Sequence, residues 1–455
     1  MSLDLADIQG LIHHAYGYAK LRHLLFEITD AAAGRTLLKF LAPRTAHAAV
    51  AMSPKPDFLL NVGVTYGGLL ALGAAPDLID RFPSEFKEEP DPNTMGDLGS
   101  SAAEQWWNMR FQTSQVHLIV HLYGKTTQIL DAITAEIRAQ ATGVRELLPM
   151  QNGGPLEGGA LGPILGELHF GYRDGIAQPD VRWGDDPAIP GTVDYRHFLL
   201  GYASSDVPSQ PKAYPSVPES VRAAEFARNG CYSVFRWLHQ DVALFNRFLA
   251  DEGPKAFPDL SPGDAEELLA AKLMGRWRDG TPLVRSPAAP NPVYADDDAF
   301  NYSQDTEGLH CPFSAHIRVN NPRDQELDES SKLMGGVPRV IRRGSPCGPR
   351  LEGTVDDGEE RGLAGMFLCA SIQRQFYKLV VWMKENSFSP SFKDPRAQDP
   401  LANRQVPEAS NQYSIPTPQG VTKVTLQDFV TTKGTAFFLL PSLTSLHRLA
   451  NGEVR

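Results

Sequence analysis

Cysteine is scarce in this chain of 455 residues, which contains only four, far apart and with no Cys-x-x-Cys pair. This spacing argues against both a zinc cluster and a disulfide framework. We therefore expect Cys231, Cys311, Cys347 and Cys369 to be small core residues. Long apolar runs are missing too, and none approaches the about 20 residues that a membrane-spanning helix needs.

Positive charge is also in deficit, since the formal net charge is −11. An acidic chain is poorly suited to nucleic acid or to anionic lipid, so we expect small-molecule partners, no nucleic acid and no membrane. The first 20 residues lack the basic-then-apolar order of a secretory signal, which predicts a cytoplasmic protein.

Several common catalytic motifs are absent from the sequence. It contains no HExxH, no GxSxG, no Walker A loop and no GxGxxG after a strand. These absences argue against a zincin, an α/β-hydrolase, a P-loop enzyme and a dinucleotide-binding enzyme.

Four segments repeat one plan, in which a β-type apolar run leads into an amphipathic helix. The runs begin near residues 20, 115, 229 and 362, two in each half of the chain. This pattern predicts an α+β fold of two similar domains, each an antiparallel sheet with helices packed on one face. Segments 84–101, 284–298 and 344–360 are rich in Pro, Gly and acidic residues, and we expect them to wall a deep pocket.

Three short stretches carry candidate chemistry, and each has a plainer interpretation. Asp174 stands before Gly175 in "GYRDGIAQPD", where Asp-Gly is also typical of a tight turn. In "CPFSAHIRVNNPRD", alternating apolar residues predict a strand with His316 on its polar face, which is equally the place of a solvated histidine. The arginines of "RVIRRGSPCG" alone indicate an exposed basic strand end.

Taken together and in this order, the three stretches resemble the dye-decolorizing peroxidases. The first resembles their GxxDG signature, the second their proximal-histidine segment and the third the strand with their distal arginine. The resemblance extends from "DIQGLI" to the closing "FFLLPSL". It implies two ferredoxin-like domains, which we place at 1–225, with the GxxDG loop, and at 226–455, with the haem.

The resemblance also implies one haem b per chain, with His316 as the iron ligand. A neutral imidazole in that position supports a high oxidation state of the iron. Asp174 and Arg342 are then the catalytic pair, with Arg342 also touching the cofactor. Arg323, in the NPR of the histidine segment, is the candidate for a haem-propionate contact because a guanidinium suits a carboxylate.

Two positions depart from the family pattern. Members usually have a carboxylate that hydrogen-bonds the proximal imidazole, and here both Asp394 and Asp399 are candidates. Gly365 stands where relatives often have a bulky apolar residue, which predicts a more open distal pocket.

The function that the resemblance implies is a haem peroxidase that uses hydrogen peroxide to oxidise dyes, phenolics or similar small molecules in one-electron steps. The alternative is a haem-handling protein that stores haem or removes its iron, with incidental peroxidase activity. A third hypothesis is cargo of a protein compartment, although the C-terminal "SLTSLHRLANGEVR" resembles the end of the final domain more than a flexible docking tail. The oligomeric state is left open, with a homo-oligomer among the options.

Overall fold

The computed structural model describes residues 3–148, 156–161, 166–185, 187, 189–202, 221–325, 338–351, 353–384, 399–402 and 411–454. Its strands are β1 Lys20–Ile28, β2 Phe58–Val64, β3 Leu118–Gly124, β4 Val144–Leu147, β5 Glu157–Gly159, β6 Val181–Arg182, β7 Val193–Asp194, β8 Cys231–Gln240, β9 Ile341–Arg342, β10 Ser345–Cys347, β11 Gly362–Cys369, β12 Gln412–Thr417, β13 Gly420–Thr425 and β14 Val430–Leu440. Its α-helices are α1 Gly10–His13, α2 Ala31–Leu41, α3 Tyr66–Ala71, α4 Pro76–Ile79, α5 Ser84–Lys87, α6 Pro92–Met95, α7 Thr127–Gln140, α8 Val221–Ala227, α9 Val242–Ala256, α10 Pro262–Met274, α11 His316–Asn320, α12 Lys378–Lys384 and α13 Leu443–Asn451.

Ten strands form one antiparallel sheet with the order β10-β5-β1-β3-β2-β14-β8-β11-β9, and β4 pairs with β1. Because β10 also pairs with β11, eight of these strands close into a ring. The halves of the chain meet at β2–β14 and at β5–β10. The predicted antiparallel α+β architecture is confirmed, whereas its closure into one sheet was not expected. The domain limits 1–225 and 226–455 stay a prediction.

All four predicted strand–helix units are present. They are β1 with α2, β3 with α7, β8 with α9, and β11 with a π-helical turn (Ile372–Tyr377) that continues as α12. Residues 21–26 of β1 are all buried, so both faces of this strand are covered, and the stretch includes Arg22 and His23 as well as apolar residues. Side-chain caps begin several of the helices, including α2, where Asp30 accepts a hydrogen bond from the N–H of Ala33.

The strand predicted around His316 is wrong, because these residues form the short helix α11. The prediction counted Arg318 as an outward-facing polar residue. Its side chain is in fact only 1% exposed, since Asp305 accepts a hydrogen bond from its Nη1 at 2.9 Å and the rings of Tyr302 and Phe313 lie against it. Because Arg318 is paired with Asp305, it can be buried despite its charge. The strand prediction depended on Arg318 facing solvent, so it fails here.

The four cysteines are free and buried, as expected. No helix in the described ranges has the length and apolar character required to cross a membrane.

Candidate active site

A cavity of about 330 Å³ is lined on one side by residues of β8 and β11. Its other walls come from α11, α12 and the loop that contains Asp174. Its volume is within the range of small-molecule and cofactor sites. Most of its wall is apolar, and the residues that interrupt that wall include Asp174, His316 and Arg342. The structure therefore brings the two predicted catalytic residues and the predicted iron ligand into one cavity.

His316 begins helix α11 and is held by a buried carboxylate. Its Nδ1 lies 2.6 Å from Oδ2 of Asp399, whose side chain is fully buried. An ionised carboxylate only accepts, so the imidazole donates its Nδ1 proton and leaves the Nε2 lone pair available to a metal. Burial lowers the pKa of His316, but the charge of Asp399 and this hydrogen bond outweigh burial and raise the pKa above its ordinary value.

Asp399 is thus the carboxylate partner, one of two candidates from the sequence. Asp394, the other candidate, lies outside the described residues. Asn320, one helical turn after His316, donates from Nδ2 to Oδ2 of Asp399 at 3.0 Å and to the His316 carbonyl at 2.7 Å. The backbone N–H of Leu401 satisfies the other carboxylate oxygen at 2.9 Å. These bonds fix the imidazole orientation before any ligand binds.

Asp174 sits on a loop that folds back on itself. Its backbone N–H donates to the Gly166 carbonyl at 2.8 Å, and a side chain at Gly166 would meet the Asp174 carbonyl oxygen at 2.7 Å. Gly175 has a φ of +88°, in the left-handed region that favours glycine. Gly175 begins a bend over residues 175–177, and the preceding Asp174 lines the cavity.

Arg342 lies directly beside Asp174. Its Nη1 donates to Oδ1 of Asp174 at 2.6 Å, while its own N–H is held by Oε1 of Gln178 at 3.1 Å. Burial raises the pKa of Asp174, but the Arg342 charge and the N–H of Gly175 reverse this effect and lower it below the ordinary value of 3.8. The carboxylate is therefore ionised across most of the pH range and can accept a proton.

The His316–Asp399 pair and the Asp174–Arg342 pair share the cavity closely enough for their charges to interact. The pKa of His316 responds to Arg342 and Asp174 as well as to burial and Asp399. A basic nitrogen lone pair and a proton acceptor beside a fixed cation are the groups that peroxide activation at a metal requires.

Arg323, the predicted propionate contact, is not among the residues that line the cavity. Its guanidinium forms an ion pair with Asp298 and donates to the carbonyls of Asp298 and Phe300 at 2.7 and 3.1 Å. The Phe300 ring lies 3.8 Å from the guanidinium carbon. The propionate role of Arg323 stays a prediction.

Several site residues escaped the sequence reasoning. Asn320 follows His316 by four residues, a spacing that signals a shared helical face, but the strand prediction concealed it. Gln178 lies within the quoted GxxDG stretch and was not singled out. Arg276 and Arg339 line the cavity without belonging to the roles inferred above. Gly365 lines the cavity with Phe367 nearby, and the more open distal pocket stays a prediction.

Comparison with models of protein families gives no match. Among curated proteins, the chain is similar to a dye-decolorizing peroxidase of Mycena epipterygia, with 30% identity over 495 residues, 99% of this chain and 87% of the relative.

Solved structures give the same result. A dye-decolorizing peroxidase in complex with 2,6-dimethoxyphenol superposes with a TM-score of 0.80 and 26% identity over 98% of this chain and 100% of that one. A fungal DyP-type peroxidase from Auricularia auricula-judae superposes with a TM-score of 0.78 and 26% identity over 99% and 100% of the two chains.

Proposed function

The chain belongs to the dye-decolorizing peroxidase family, and from that membership we propose that it binds one haem b in the cavity described above and uses it to reduce hydrogen peroxide. The observation that carries this proposal is the presence of the His316–Asp399 and Asp174–Arg342 pairs in a single cavity.

The residues present fit a haem. His316 offers Nε2, because Nδ1 is engaged by Asp399. Apolar side chains that suit a porphyrin make up much of the wall, including Leu168, Ile176, Val340, Met366, Phe367, Leu379 and Val380. Among the described residues, no group of three or more His, Cys, Asp or Glu side chains could hold a metal ion by itself.

When bound, a haem would supply the redox chemistry by which peroxide is reduced. The chain supplies the proton chemistry. Asp174 accepts a proton from one peroxide oxygen and returns it to the other as the O–O bond breaks, so that water leaves. Arg342 stabilises the negative charge that develops on the departing oxygen. Asp399 keeps the Nε2 of His316 electron-rich throughout.

The reducing substrates are dyes and phenolic compounds, which give up one electron at a time. A structural neighbour was solved in complex with 2,6-dimethoxyphenol, which supports small phenols as substrates here. Gly365 on the cavity wall leaves space for such molecules. The Asp174–Arg342 pair favours turnover over haem storage, because storage needs no proton acceptor next to a fixed cation.

The test is a Soret titration of the purified protein with haem, followed by stopped-flow mixing with one equivalent of peroxide. We expect a Soret band that shifts on peroxide addition, and dye oxidation well above the rate of free haem. The His316→Ala variant should lose haem, while His310→Ala serves as the matched control and should keep it. A protein that binds haem without consuming peroxide would instead be a haem-handling protein.

A cytoplasmic location is part of the same proposal, supported by the acidic composition and the four free cysteines. Fractionation of the producing cells tests it, and recovery of the protein outside the cell would contradict it.

A further inference from the structure

One end of the cavity carries an excess of positive charge. The guanidiniums of Arg276 and Arg323 lie against the carboxylate of Asp298, and that of Arg339 lies within electrostatic reach of it; we call these four residues the Asp298 cluster. Asp298 pairs with Arg323 and lies 3.6 Å from Nη2 of Arg276. Arg339 also lies within electrostatic reach of Asp298 and Arg323. Three cations around one anion leave two positive charges without a counter-ion inside the cluster.

Asp297, a second carboxylate whose charge acts on Arg276, does not correct this excess. Asp297 is engaged by Arg285, whose Nε lies 2.6 Å from its Oδ2, and by the N–H of Ala299. Only the backbone carbonyl of Asp297 reaches the cluster, where it accepts from Nη1 of Arg276 at 2.9 Å. Buried charges are normally paired, so the cluster is incomplete without an anion.

Two guanidiniums of the cluster face the cavity with unused donors. The Arg276 side chain is only 5% exposed, yet its Nη2 has no hydrogen-bond partner. Arg339 lines the cavity, and among the described residues nothing accepts a hydrogen bond from its guanidinium. Burial lowers the pKa of Arg339, as expected of a cation without a close counter-ion.

The other arginines of the cavity wall are already engaged. Arg173 pairs with Asp296, Arg236 with the buried Asp97, and Arg342 with Asp174. Arg323 uses Nη1 and Nη2 on Asp298 and two carbonyls, its Nε is buried without a partner, and it does not line the cavity. Of the three guanidiniums in the cluster, the two that line the cavity with unused donors are therefore those of Arg276 and Arg339.

We propose that Arg339, with Arg276 beside it, binds a carboxylate of the cofactor, and that Arg323 acts indirectly by holding Asp298. A planar guanidinium can grip such a carboxylate with two parallel hydrogen bonds. This inference rests on the proposed function, because it assumes that a haem occupies the cavity.

The experiment titrates the apo-protein with haem and with haem dimethyl ester, whose carboxylates are blocked, and follows the Soret band. Wild type should bind haem about 10- to 100-fold more tightly than the ester, as expected for charge-assisted hydrogen bonds. In Arg339→Gln this preference should fall to a few-fold. Arg173→Gln is the matched control, since it removes a paired cation from the same wall and should keep the preference.

The results that would contradict the proposal can be told apart from those that would contradict the proposed function. Wild type that binds neither compound overturns the proposed function itself, whereas equal binding of both overturns only the carboxylate site. Equal losses in Arg339→Gln and Arg173→Gln overturn the assignment to Arg339. Arg339→Lys keeps the charge and should retain an intermediate preference, which a loss of fold would not produce. If Arg339→Gln keeps its haem preference but raises KM for an anionic dye relative to a neutral phenol, the carboxylate comes from the substrate and the proposal is wrong.

Discussion

At the scale of single residues, Asp174 and Arg342 depend on each other. Arg342 lowers the pKa of Asp174 against the effect of burial, which alone would raise it. Asp174 in turn is the carboxylate that neutralises Arg342 in the cavity. Removing either residue therefore changes the state of the other, and the two losses differ in kind.

We expect Asp174→Asn and Arg342→Leu both to bind haem, because neither residue contacts Nε2 of His316, and both to react more slowly with peroxide. Loss of the proton acceptor should cost about 10²–10⁴ in rate. Loss of the cation should cost about 10²–10³ directly. Because Arg342→Leu also leaves the half-buried Asp174 without its cation, we expect it to be the more damaging change. Stopped-flow rates of peroxide reaction measure both, and wild-type rates in either variant would remove that residue from the mechanism.

The pH dependence of the peroxide reaction should follow Asp174. Its carboxylate accepts protons only when ionised, and its pKa lies below the ordinary 3.8. The rate should therefore hold from neutrality into acid and decline only below that value. In Arg342→Leu, where burial is no longer opposed by the cation, the decline should begin at higher pH. A wild-type decline that begins near pH 6 would indicate a histidine as the proton acceptor.

Gly365 should set which reductants reach the distal side of the cavity. Even a Cβ at this position would lie 3.1 Å from the Phe367 ring, so a leucine must occupy cavity space. We expect Gly365→Leu to raise KM for a bulky dye about tenfold, equivalent to roughly 1.4 kcal/mol, with little change in the peroxide reaction. Gly365→Ala is the control and should change KM less. Equal effects on a small phenol and on the bulky dye would show that Gly365 does not select by size.

At the scale of secondary-structure elements, β1 and β3 bury a histidine pair. His23 and His121 are register partners whose Nδ1 atoms lie 2.9 Å apart, and both Nε2 atoms are buried without a partner. Burial lowers the pKa of His23 to about 3 and that of His121 well below its ordinary value. The pair is therefore neutral in the folded protein.

This pair should make the fold sensitive to acid. The unfolded chain takes up protons at these histidines below about pH 6.5, whereas the folded protein does not until near pH 3. The free energy of unfolding should therefore fall as pH decreases through this window, by about 1.4 kcal/mol per pH unit for each histidine. Denaturant titrations from pH 7 to 4 measure the slope. The double variant His23→Gln, His121→Asn should have a shallower slope, and an unchanged slope would exclude the pair as its source.

At the scale of the whole molecule, the two halves share one core. Its largest hydrophobic cluster contains Leu25 and Val120 from the first half and Phe235 and Phe437 from the second. The buried Asp97 of the first half pairs with Arg236 of the second through two hydrogen bonds of 2.7 and 2.9 Å. The sheet is continuous across both junctions.

We therefore expect the chain to unfold in one transition despite its length. Scanning calorimetry of the apo-protein should show a single peak, with van't Hoff and calorimetric enthalpies that agree. Asp97→Asn, which weakens a buried ion pair between the halves, should lower the temperature of this single peak. Two resolved peaks would show that the halves are independent domains.

The sequence alone determined the local elements and the identity of the chemistry. The strand–helix units follow from apolar periodicity, which depends only on neighbours in the chain, and the three motifs identified Asp174, His316 and Arg342. Only the tertiary structure decided which distant groups meet.

The tertiary structure selected Asp399 as the partner of His316. It buried Arg318 against Asp305, so that the segment at His316 forms α11 rather than the predicted strand. It also joined the two halves into one closed sheet. It also directed Arg323 to Asp298 and left Arg339 facing the cavity. These outcomes depend on contacts between residues far apart in sequence, where the pairing of a buried charge outweighs local pattern.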